Sequence, residues 1–200
     1  MQENWATEHL QVIRTLMERS AVYRRALAPL MTFAGLLGTA AAWIGWFRDL
    51  TTPRSFVLFW VGVSFVAITG AFILVRRQAI KAGEPLWSPP TRRVSQALLP
   101  CLFLGAVGGL LVFLQGDVRS IPAVWVALYG AALHAAGFFM PRGMRLFGWA
   151  FVFAGSALLV VMALMPLDIS PHAIMGLFFG LLHLAYGVYL YFTEQRRNPA

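Results

Sequence analysis

Six stretches of the chain contain no Asp, Glu, Lys or Arg: 26–47, 55–75, 94–116, 120–141, 146–167 and 169–193. Each is 21 to 25 residues long. An α-helix rises about 1.5 Å per residue, so roughly 20 residues cover the ~30 Å hydrocarbon core of a bilayer. A transmembrane β-barrel would instead show segments of about ten residues alternating apolar and polar. The predicted fold class is therefore all-α: a polytopic membrane protein, folded as a six-transmembrane-helix bundle. Composition agrees, with 59% hydrophobic and 12% charged residues, where a soluble domain carries about 25% charged. Outside the six stretches lie a polar lead-in, 1–25, and a short tail, 194–200. Trp5, Leu10, Ile13, Leu16, Met17 and Val22 recur at helical spacing, which predicts an amphipathic helix at the membrane surface for the lead-in. A charged leader of this length is not a signal peptide, so the first apolar helix is expected to be retained.

The net charge of +8 could suggest nucleic acid as a partner, but its distribution excludes that reading. With the N-terminus in the cytoplasm, the inner segments hold 13 of the 16 basic residues and five acids. The outer segments hold Arg48, Arg54 and Arg119 against Asp49, Asp117 and Asp168. The whole excess falls on one side, as the positive-inside rule requires. Both termini are thus expected in the cytoplasm. The inner basic surface, made of Arg76, Arg77, Lys81, Arg92, Arg93, Arg142 and Arg145, would face anionic lipid. Fifteen Arg to one Lys, together with compact loops, points to a bacterial inner membrane. The lone Cys101 allows neither an intramolecular disulfide nor a thiolate cluster.

No apolar stretch carries a carboxylate or a fixed cation, the groups that proton pumps and ion-coupled carriers place inside the bilayer. Phosphate loops, zinc-protease helices and cysteine pairs are absent too. His9 and His172 fall at the expected surface and read as solvated. That leaves His134 and His183. Counted from the outer boundaries at Ser120 and Ile169, each lies 14 residues in, about 21 Å deep at the helical rise. Each sits on a small-residue face: Gly130, Ala131 and Gly137 around His134, and Gly176, Gly180 and Gly187 around His183. Such faces turn toward another helix. Helices 4 and 6 are accordingly expected side by side, with the histidines level.

Three uses of the pair are open. Each imidazole is neutral and hydrogen-bonded across an interface, to Tyr186, to a carbonyl or to its fellow. Or the two are axial ligands of haem b, with glycines making room for the macrocycle. Or they line a pocket for a solute or lipid. His134, His183 and Tyr186 form the candidate buried polar site. No catalytic residue and no metal site is predicted, and no cofactor is expected outside the haem alternative.

The segments LHAAGFFMPRGMRLFGWAF and GLLHLAYGVYLYFTE, in the last third of the chain, resemble small bacterial integral membrane proteins that carry no assigned activity. The resemblance implies a membrane location and nothing about chemistry. The function expected is that of a non-enzymatic membrane component, acting through helix packing or partner contacts. A small transporter for an uncharged or lipid-like solute is the first alternative, in dimeric form, and a haem redox protein the second. A second copy and another membrane protein are both open as partners.

Overall fold

The computed structural model describes residues 27–81, 83, 85–165 and 169–197. The lead-in 1–25 lies outside the described residues. Six helices follow one another: α1 (Leu27–Phe47), α2 (Pro53–Lys81), α3 (Pro89–Leu114), α4 (Ile121–Ala136), α5 (Arg142–Leu164) and α6. The last is α-helical over Pro171–Met175, π-helical over Gly176–Leu182, and α-helical again over His183–Arg197. All but α4 are long and apolar enough to cross a membrane, and no strand occurs among the described residues. The chain is an all-α, multi-pass membrane bundle.

Helix starts have local causes. Pro53, Pro89, Pro90, Pro122 and Pro171 stand in the first turns of α2, α3, α4 and α6, where a missing N–H costs nothing and a fixed φ favours the helix. Thr52 Oγ1 accepts the backbone N–H of Ser55 at 3.2 Å, capping α2. Gly116, with φ 76°, turns the chain out of α3 in a conformation that L side chains rarely adopt. Asp117 Oδ1 then accepts the N–H groups of Arg119 and Ser120 and shapes the tight return.

Several helix ends overrun the charge-free stretches. Arg76, Arg77 and Lys81 ride on the last turns of α2, and Arg92 and Arg93 on the first turns of α3, leaving a connection of only 82–88. Arg142 and Arg145 likewise begin α5 instead of forming a separate turn. Basic residues oppose the dipole at a helix N-terminus, but that term is only about 0.3–1 kcal/mol. Placing an Arg or Lys deep in the bilayer costs about 2.5–3.5 kcal/mol. Keeping these charges out of hydrocarbon outweighs the dipole.

Three close antiparallel contacts build the bundle. On α1 and α6, Thr32 meets Gly187, Gly35 meets Leu184, Thr39 meets Gly180, and Ala42 meets Gly176. From Thr39 to Ala42 the facing residue moves from Gly180 to Gly176, one residue further on α6 than on α1; the wider π turn holds the extra residue. The hydroxyls of Thr32 and Thr39 bond back to Ala28 and Gly35 carbonyls and so reach the interface satisfied. On α4 and α5, Ala127 faces Gly155, Gly130 faces Val152, His134 faces Gly148, and Gly137 faces Arg145. On α3 and α4, Gly105 and Gly109 lie against Leu128 and Trp125. Lipid tails are as apolar as side chains, so close backbone approach of this kind drives association instead.

The core divides by depth. At the end bearing the basic residues, Leu27, Met31, Leu133, Met144 and Leu190 cluster. At the opposite end Ala41, Phe56, Trp60, Ile121 and Met175 cluster. Between them lie Val126, Phe151, Ile174 and Phe178. Helix α2 is peripheral, with 6% of its most apolar window buried against 39% for α1 and α6. Phe65 and Phe72 on it are exposed, whereas Phe56 and Trp60, nearer its start, are buried in the core.

Candidate functional site

The central polar group is His183, 1% exposed, on α6 just past its π segment. Its Nδ1 lies 2.8 Å from the Phe178 carbonyl oxygen, five residues back. A carbonyl only accepts, so Nδ1 carries the proton. Its Nε2 is 2.9 Å from the Tyr129 hydroxyl on α4, and in that tautomer Nε2 accepts while the phenol donates. Phe147 and Phe151 of α5 meet the ring edge-on, at 5.3 and 5.5 Å, and Phe179 stacks on it at 6.0 Å. The imidazole is thereby satisfied inside an aromatic box and ties α4 to α6.

His172 is built the opposite way and is equally buried, at 1%. Trp60 Nε1–H donates to its Nδ1 at 3.1 Å, and its Nε2–H donates to the Leu50 carbonyl at 3.0 Å. Phe56 closes over it at 5.1 Å, and Gly45 on α1 leaves room that a side chain would fill. The sequence reading placed this histidine in solvent, which the structure corrects. Phe56 and Trp60 of α2 and the chain leaving α1 fold over the start of α6. The sequence carried one signal for it: an indole N–H in an apolar helix needs an acceptor, and His172 is the imidazole within reach.

The expected pairing of His134 with His183 does not form. His134 faces α5, where Gly148 makes room beside it, and its ring is half-buried, 4.7 Å from Trp149 and 5.4 Å from Phe138. Its Nδ1 is 3.5 Å from the Arg145 carbonyl, at the limit of a hydrogen bond. Equal residue counts misled on depth because α4 begins beside Met175, about one turn inside the start of α6. His183 is consequently level with Tyr129, and His134 sits nearer the basic end, next to Leu133 of the cluster there. The small-residue faces are real interfaces with other partners: the glycines of α4 meet α5, and those of α6 meet α1.

Tyr186, the third candidate, stacks flat on Phe147 at 4.5 Å and 8°, with its hydroxyl beside Gly143. The tyrosine that completes the His183 site is Tyr129. It lies five residues before His134 and therefore about 140° around the helix from it at 3.6 residues per turn. Both ring nitrogens of His183 are engaged within the chain, and His134 points to another face. Among the described residues no three His, Cys, Asp or Glu side chains cluster as metal ligands would. Of the basic surface, Arg76, Arg77, Lys81, Arg92 and Arg93 are exposed at one end of the bundle, and the Arg145 guanidinium lies 5.1 Å over the Phe138 ring. No family model, no curated protein and no solved structure matches the chain.

Proposed function

We propose that the protein is a non-enzymatic component of a bacterial inner membrane, crossing it six times with both termini in the cytoplasm. It acts by contacts at its basic inner face, with anionic lipid and with membrane partners, and not by chemistry inside the bundle. The observation that carries this is the commitment of both buried imidazoles: all four ring nitrogens of His172 and His183 are bonded within the chain. They act as cross-helix locks. A sixth span is supported by α4 itself. At 16 residues it is about 24 Å long, yet it packs antiparallel on both α3 and α5 and joins the far end of one to the basic end of the other.

Reconstitution tests the reading. Vesicles holding the purified protein and a trapped pH indicator are expected to show no proton movement coupled to solutes or sodium. Protein expressed with haem supplied is expected to be colourless. Coupled acidification, or a Soret band lost on His183→Gln, contradicts the proposal.

A further inference from the structure

His134 differs from the two fully buried histidines. His172 and His183 each use both ring nitrogens inside the chain, whereas His134 has one contact at 3.5 Å, and no partner for its Nε2 lies among the described residues. A half-buried imidazole on the outside of a membrane bundle with an unmatched nitrogen is costly, because lipid tails supply nothing to bond it. Its surroundings suggest what does. Arg145, one helical turn before Trp149 on α5, holds its guanidinium 5.1 Å over the Phe138 ring, which orients the cation without neutralising it. Phe138 and Trp149 flank the His134 ring and are 62% and 42% exposed. Trp149 stacks on Phe153 at 5.0 Å, one turn further toward the bilayer centre, and Phe153 is 67% exposed. From the basic end inward, the surface thus runs guanidinium, imidazole, indole, phenyl.

We infer that His134, Arg145, Phe138, Trp149 and Phe153 form a site for a single anionic phospholipid of the inner leaflet. Arg145 binds the phosphodiester, for which a guanidinium fork is the best-matched side chain. His134, in the tautomer that carries its proton on Nε2 and gives up the marginal 3.5 Å contact of Nδ1 with the Arg145 carbonyl, donates to a second phosphate oxygen or to a glycerol-ester oxygen just below it. The stacked rings of Trp149 and Phe153 support the first part of an acyl chain. The occupant is anionic because the end of the bundle that carries this site exposes Arg76, Arg77, Lys81, Arg92 and Arg93 as well. This deepens the lipid-contact part of the proposed function and rests on it. A chain that fails to enter vesicles fails that broader reading, whereas one that enters and shows no lipid preference fails this inference alone.

The test uses full-length protein, stripped of lipid in mild detergent and titrated with phosphatidylglycerol, phosphatidylcholine or inorganic phosphate. Bound molecules are counted by native mass spectrometry. One phosphatidylglycerol is expected to bind in preference to phosphatidylcholine, and inorganic phosphate is expected not to displace it. His134→Phe keeps the ring packing and removes the donor; Arg145→Gln keeps the stem and removes the charge. Each is expected to weaken phosphatidylglycerol about tenfold, as loss of a charge-assisted or desolvated hydrogen bond does. Arg77→Gln, equally basic but on α2, is expected to leave it unchanged. Wild-type preference is read without any variant, so a misfolded variant does not blunt the test. Equal binding of the two lipids, displacement by phosphate, or unaltered affinity in both site variants overturns the inference.

Discussion

At the scale of single residues, the buried imidazoles act through the bonds they satisfy. Tyr129→Phe leaves His183 Nε2 without its donor in an apolar box, and His183→Phe leaves the Tyr129 hydroxyl without its acceptor. Each change is expected to lower stability by about 1–2 kcal/mol, while the double change costs less than the sum, since neither orphan then remains. Tyr186→Phe is the comparison, expected to cost under about 0.5 kcal/mol, because that ring contributes by stacking on Phe147, which phenylalanine keeps. Denaturation in mixed micelles measures all four proteins, and additive losses at Tyr129 and His183 would show that the lock is not one unit. The participation of His183 was legible from its place on a glycine-rich apolar face. Its partner was not, because choosing Tyr129 over His134 or Tyr186 requires the rotation and relative depth of two helices. His172 was missed for a related reason: its neighbours in sequence are a proline and a polar turn, and its burial comes from α2, more than a hundred residues away.

At the scale of helices, glycine marks where backbones touch. A Cβ at Gly130 would lie 2.6 Å from the Val152 nitrogen, and one at Gly180 2.8 Å from the Thr39 nitrogen. Backbone atoms cannot yield as a flexible side chain can. Gly130→Ala and Gly180→Ala are therefore expected to destabilise by about 1–3 kcal/mol, in the range of overpacked cores. Gly62 on α2 has no atom within 4 Å of the same position. Gly62→Ala is expected to be neutral or to stabilise by a few tenths of a kcal/mol, or about as far as helix propensity allows. Melting temperatures in detergent check the contrast, and equal effects at the three sites would contradict the packing described. The absence of charge marked where the six helices lie, since hydrocarbon excludes charge. It did not mark their ends, since a helix with basic side chains continues into the headgroups, as α2 does to Lys81. Small-residue faces announced close contacts without naming the partner, because Gly and Ala present the same surface to any neighbour.

At the scale of the molecule, the direction of each helix across the bilayer decides which surfaces share a side. The antiparallel sequence of α3, α4 and α5, with α1 antiparallel to α6, places the ends bearing Lys81, Arg92 and Arg145 together and the connection at Asp49 opposite. The proposed orientation, with the basic end in the cytoplasm, rests on the positive-inside rule. Reporter cysteines read this most directly, in a chain whose Cys101 is first replaced by Ala. Ser88 is buried and its hydroxyl is bonded to Thr91, so Trp87 is the better inner reporter, being 65% exposed; Thr52 is exposed at the other end. In intact cells, a membrane-impermeant thiol reagent is expected to label Thr52→Cys and to spare Trp87→Cys until the membrane is opened. Labelling of Trp87→Cys alone, or of both without permeabilisation, would contradict the orientation and the six crossings on which it depends.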